Sequence, residues 1–177
     1  YSGAVEACFY GHHHHDFFHL TYSEPGYANP AAVPLVVGYV SPSVTPNHGE
    51  KGGHNPSFRV YRRRRGATAL LSHETYLMNL TAANTAGDLS FRLEYSTLSD
   101  PVPELRVTSP LTPEKWAKVY ARVAADDALF DKYYRRYTVD SVKEFGECTP
   151  ELKTKILCNM RYGSDNDAYQ TCIEKGK

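Results

Sequence analysis

Phe9-Tyr10-Gly11-His12-His13-His14-His15-Asp16 separates two apolar, strand-like runs, Ala4 to Tyr10 and Asp16 to Tyr22. Within it sits Gly-His-x-His, from Gly11 to His14. Imidazole is the commonest side-chain ligand of zinc and its neighbours. In an extended segment residues i and i+2 point the same way. His12 and His14 would then reach one site together, with His13 and His15 turned away. Spacing alone leaves the other register, His13 with His15, open. An affinity tag is disfavoured, since tags sit at a terminus and this run lies between strand-like stretches. A solvated polar loop is the plainer reading, and a His-rich tract beside a carboxylate is otherwise a metal hypothesis. Two ligands do not complete a zinc site, which takes about four donors.

Around this run, 177 residues suffice for one domain or one and a half. Twenty basic and twenty acidic side chains balance, so no general attraction to nucleic acid or to an anionic membrane is expected. No apolar run reaches the roughly 18 residues of a membrane span. The chain begins at Tyr1 without an initiator Met or signal peptide and reads as a mature or fragmentary product. The four cysteines, Cys8, Cys148, Cys158 and Cys172, lack CxxC spacing, which disfavours a zinc knuckle. Asn79-Leu80-Thr81 is a valid glycosylation sequon, whereas Asn55-Pro56-Ser57 is blocked by its proline.

The first part of the chain is strand-rich. Val33 to Val40 reads as a buried strand. Phe58 and Val60 alternate with Ser57, Arg59 and Tyr61, and strand-like sequence returns from Ala67 to Leu80 and from Phe91 to Tyr95. The long loop Thr45 to Pro56 carries His48 and His54, which read as solvated loop side chains. Arg62 to Arg65 reads as a solvated turn rather than a nucleic-acid patch. A proline-rich connector, Leu98 to Pro113, leads into a helical remainder. Thr112-Pro113 and Thr149-Pro150 are helix starts, an N-cap followed by proline in the first turn. Trp116, Val119, Tyr120 and Val123 then fall on one face, as do Leu152, Ile156 and Met160 of the later helix. A last helix, about Asp165 to Glu174, would bring Cys172 near Cys158, where a disulfide would staple a unit with little core of its own.

Taken in order, these segments resemble a known family. Ala7 to Phe18 is similar to the last metal-binding motif of calcineurin-like metallophosphoesterases. Leu35 to Thr45, Asn55 to Tyr61, His73 to Asn84 and the tail from Leu129 to the final cysteine pair look like the acid sphingomyelinase group. The resemblance covers essentially the whole chain and implies only the C-terminal portion of such an enzyme. The expected fold class is α+β. Residues 1–98 would be the C-terminal strands of a metallophosphoesterase β-sandwich with flanking helices. Residues 99–177 would form a small helical subdomain stapled by Cys158 and Cys172.

The resemblance further implies a two-zinc phosphodiesterase. His12 would bind one ion and His14 the other, which favours their register over that of His13 and His15. The remaining ligands, and a histidine acting as general acid, would come from outside this chain, so no catalytic residue is assigned within it. The leading expectation is hydrolysis of sphingomyelin to ceramide and phosphocholine. Nucleotides or other phosphodiesters are the alternative substrates, and a non-catalytic binding subunit is the alternative class. Thr45 and Asn47 are the substrate-side candidates; the resemblance places Pro46-Asn47 where the mammalian sphingomyelin-cleaving member carries an aromatic residue near the substrate. Asn79 is the expected glycosylation site. The expected partners are the N-terminal part of the same enzyme, a phospholipid or phosphodiester substrate and, through the complete enzyme, a membrane surface; nucleic acid is not among them. The expected location is secreted or lysosomal. Leu152 replaces a family cysteine, which leaves three fates open for Cys8 and Cys148: pairing together, remaining free, or bonding outside the chain.

Overall fold

The computed structural model describes residues 4–24, 32–46, 53–66, 69–100, 102–105 and 109–176. They form an α+β fold with two three-stranded sheets. In the first sheet, β3 (Pro34–Val40) is central, paired parallel to β1 (Ala7–Tyr10) and antiparallel to β2 (Phe17–Tyr22). The unbroken apolar run of β3 suits a strand covered on both faces, and Val37, Tyr39 and Val40 are fully buried. Gly38 sits directly across from His19. A Cβ at Gly38 would lie 2.2 Å from the His19 ring, so any larger residue there would force that ring to move.

The second sheet is an antiparallel meander of β4 (Ser57–Arg63), β5 (Leu70–Leu77) and β6 (Arg92–Ser96). Its amphipathicity is inverted on β4. Phe58 and Val60 face solvent, while the Arg59 side chain turns inward and is only 2% exposed. Arg64 and Arg65 lie in the exposed turn after β4, and Arg62 pairs with Glu74 on β5. A short helix, α1 (Leu80–Ala86), follows β5 in sequence with no apolar periodicity. Asn79 caps it by accepting from the Ala82 amide, and Gly87 ends it at φ 68°.

Two 3-10 turns, Thr97–Ser99 and Pro103–Leu105, occupy part of the connector. Then come α2 (Pro113–Ala125), α3 (Asp127–Tyr137), α4 (Val142–Phe145), α5 (Pro150–Tyr162) and α6 (Asn166–Lys175). Thr112 and Thr149 cap α2 and α5 as their sequence signals require, and Asp126 and Asp165 cap α3 and α6. Trp116, Val119 and Val123 of α2 share one buried cluster with Phe18, Leu20, Val37 and Tyr39 of the first sheet and with Ile156 and Met160 of α5. The Trp116 indole donates to the Tyr39 hydroxyl at 2.7 Å, which satisfies its buried N–H. Cys158 and Cys172 form the disulfide between α5 and α6. Closing a loop of this length is worth about 3 kcal/mol. Cys8 and Cys148 form no disulfide within this chain. Among the described residues no helix is long and apolar enough to cross a membrane.

A histidine loop anchored by a buried carboxylate

The run Gly11 to Asp16 joins β1 to β2 across the end of β3, since Tyr10 and Phe17 both lie opposite Val40. The two outer strands are about 10 Å apart, two strand spacings, whereas seven extended steps would span about 23 Å. The loop must therefore curl. It does so with positive φ at His12 (78°) and His14 (61°), a conformation uncommon outside glycine. This corrects the expectation of an extended segment. Strand alternation does not orient His12 and His14, and their pairing rests on their place in Gly-His-x-His. Among non-glycine residues, left-handed backbone costs on the order of 1–3 kcal/mol and persists where the surroundings enforce it.

The four imidazoles have separate surroundings. His12 and His13 are exposed, and His14 and His15 are half-buried. His13 sits edge-on to Phe17 and shares a cleft with His19, Tyr10 and Asn159. Burial, and then the neighbouring His13, lower the pKa of His19. His15 stacks on Tyr137 with ring centroids 4.1 Å apart, and its Nδ1 lies 3.2 Å from the Tyr137 carbonyl. His54 meets His15 edge-on at 4.8 Å. His54 is fully buried, with its Nδ1 3.3 Å from the Thr138 carbonyl, which corrects its reading as a solvated loop side chain. The reason is that the loop base doubles back. The His54 amide donates to the Pro46 carbonyl, and the ring is driven in between His15 and Phe145.

Asp16 ends the loop at 3% exposure, and its carboxylate faces the second sheet. It pairs with the Arg59 guanidinium, accepts from Thr75 Oγ1 at 2.9 Å, and accepts from the Tyr95 hydroxyl at 2.9 and 3.1 Å. Arg59, Thr75 and Tyr95 are direct cross-strand neighbours on β4, β5 and β6, so one row of the sheet converges on one carboxylate. Burial lowers the Arg59 pKa, and Asp16, Tyr95 and Tyr61 more than reverse this, so the guanidinium stays charged. Tyr95 is pushed upward by burial and then by Asp16, and remains a neutral donor. The Arg136 guanidinium covers the Tyr95 ring at 4.2 Å and pairs with Asp100. Reading the sequence for ligands did not reveal this row. Its one signal is an arginine between two outward apolar residues of a strand.

Imidazole nitrogens are suitable zinc donors. Among the described residues no group of three or more His, Cys, Asp or Glu side chains gathers around a common point. A zinc site built on His12 and His14 would require further ligands. Thr45 is exposed on the loop that leaves the same end of β3. Asn47 and His48 lie outside the described residues. Asn79 is exposed, with its side-chain oxygen used as the helix cap.

Residues 33–177 match the family model described as the acid sphingomyelin phosphodiesterase C-terminal region. The chain is 33% identical to the human acid sphingomyelinase-like phosphodiesterase 3b over 93% of its length and 34% of that protein's. It is 31% identical to the mouse cyclic GMP-AMP phosphodiesterase SMPDL3A over 99% of its length and 37% of that protein's. It is 26% identical to sphingomyelin phosphodiesterase A of Dictyostelium discoideum over 97% of its length and 27% of that protein's. The chain thus spans roughly a third of the curated relatives it matches. With its α+β fold, its histidine loop and this match, the chain belongs to the acid sphingomyelinase and acid sphingomyelinase-like phosphodiesterase family, of which it carries a C-terminal portion.

Proposed function

We propose that this chain forms one wall of the active site of a two-zinc phosphodiesterase, with His12 giving a nitrogen to one ion and His14 to the other. The observation that carries this reading is the curled Gly-His-x-His loop at the end of β3, in a chain whose relatives are phosphodiesterases. When bound, the zinc pair supplies Lewis-acid polarisation of the phosphoryl group and activation of a water. This chain's residues hold the imidazoles at the sheet edge and present the Thr45 loop beside them. The first sheet then belongs to a calcineurin-like β-sandwich completed by the N-terminal part of the enzyme, which also supplies the remaining ligands and the general acid.

Sphingomyelin, cleaved to ceramide and phosphocholine at a membrane surface, is the first substrate assigned. Nucleotide phosphodiesters are the second, because one relative aligned over nearly the whole chain is named as a cyclic GMP-AMP phosphodiesterase. The Cys158–Cys172 disulfide and the exposed sequon at Asn79 support a secreted or lysosomal protein. In the full-length enzyme, zinc content and turnover of sphingomyelin and of nucleotide phosphodiesters are measured for His12→Ala and His14→Ala. Loss of zinc and of turnover is expected. Unchanged zinc would remove the reading, and the preferred substrate of the intact enzyme decides between the two classes.

A further inference from the structure

We infer that Asp16, held by the cross-sheet row Arg59, Thr75 and Tyr95, is a positioning residue that sets the curled histidine loop for metal binding. This rests on the zinc reading of His12 and His14. Three observations carry it. The loop adopts positive φ at both proposed ligands, so something must hold it there. Asp16 lies two residues after His14, is 3% exposed, and is fixed by one charged and two hydroxyl donors. The backbone is clamped at the same place, because the Asp16 amide donates to the Tyr137 carbonyl at 3.2 Å and the His15 ring stacks on Tyr137.

The second sheet thereby acts on the proposed metal loop through Asp16. The Arg59 guanidinium donates onward to the Tyr61 hydroxyl, which lies 2.9 Å from Ser41 Oγ just beyond β3. The row therefore ties together both segments that meet at the end of β3: the histidine loop through Asp16 and the loop carrying Thr45 through Ser41. Tyr95 is itself fixed from outside by the Arg136 guanidinium over its ring. The carboxylate next to the histidine run thus serves as an anchor.

The test uses the full-length enzyme and three variants: Thr75→Val, Tyr95→Phe and the two combined. Each removes hydroxyl donors to Asp16 and keeps the Arg59 cation beside it, and Thr75→Val also removes the acceptor of Arg59 Nε at 3.4 Å. Zinc release to a chelator, kcat and KM are measured at 25 °C, and the thermal midpoint is measured on zinc-stripped protein. The double variant should release zinc about ten-fold faster and lose kcat by a similar factor, with KM little changed, the size typical of groups that orient metal ligands. A purely structural row would lower the thermal midpoint yet leave zinc release and kcat within two-fold of wild type, and that result would overturn the inference. Asp16→Asn, where it folds, should exceed the double variant in both readouts. Zinc lost in His12→Ala but unaffected in the double variant refutes the anchor alone; zinc retained in His12→Ala refutes the metal reading and the anchor with it.

Discussion

Replacing Arg59 by methionine leaves the Asp16 carboxylate in the interior with two hydroxyl donors and no directly paired cation. Removing one partner of a buried ion pair costs about 3–5 kcal/mol. Each hydroxyl donor that remains is worth roughly 1 kcal/mol, so the low end of that range applies. The variant also loses the Arg59 bond to the Tyr61 hydroxyl, which adds roughly 1 kcal/mol. A loss of about 3–4 kcal/mol is thus expected, a large part of a typical total of about 5–15 kcal/mol. The assay is urea unfolding of the full-length enzyme, followed by circular dichroism, for Arg59→Met, Asp16→Asn and the double variant. The double variant should recover much of the loss, because no charge is then left buried, giving a coupling of about 2 kcal/mol or more. A single-variant loss under about 1 kcal/mol, or additivity within about 0.5 kcal/mol, would refute the buried pair as an energetic hub.

Three further outcomes are expected. Burial, with Arg59 and Arg136 nearby, holds the His73 imidazole well below its usual range. Its folded value is depressed, so stability is full above about pH 6.5 and falls by up to about 1.4 kcal/mol per unit below it. His73→Phe should flatten the fall in melting temperature between pH 7 and pH 5, and an equally steep fall would contradict this. Glu94 is pushed up to about 9 by burial and then by Asp16. A raised value means stability present below about 4.5 and lost as pH rises through 9, so Glu94→Gln should stabilise by about 1–3 kcal/mol at pH 7–8 and change little at pH 4. Equal melting curves at both pH values would count against it. Thr81→Ala should abolish a glycan at Asn79 in protein secreted from eukaryotic cells while keeping the Asn79 cap, whereas Asn79→Gln should lose both, the cap being worth about 1 kcal/mol. Unchanged gel mobility of Thr81→Ala after secretion would exclude glycosylation there.

Much of the scaffold is legible in local chemistry. The Val-rich run of β3, the Thr-Pro starts of α2 and α5 and the apolar stripe of Trp116, Val119 and Val123 act through short-range patterns, and the structure follows them. What was not legible depends on contacts distant in sequence. Helix α1 has no buried residue, and the features that mark it are its two caps, Asn79 and Gly87. The burial of His54 is set by Thr138 and Phe145, more than 80 residues onward. The curl at His12 and His14 follows from where β1 and β2 pair on β3, which spacing within the run does not contain. Arg59 is the clearest case. Alternation on β4 would bury Phe58 and Val60, yet the buried carboxylate of Asp16 draws the opposite face inward. A pattern of hydrophobicity cannot show a partner 43 residues away.

His12 and His14 are proposed to hold one ion each of a pair. The most direct test is metal analysis of the full-length enzyme after replacing each alone and both together. The expected result is about one zinc lost per molecule in each single variant or a marked weakening of that ion, loss of both ions in the double variant, and loss of turnover in all three. Full zinc occupancy and undiminished turnover in the double variant would contradict it.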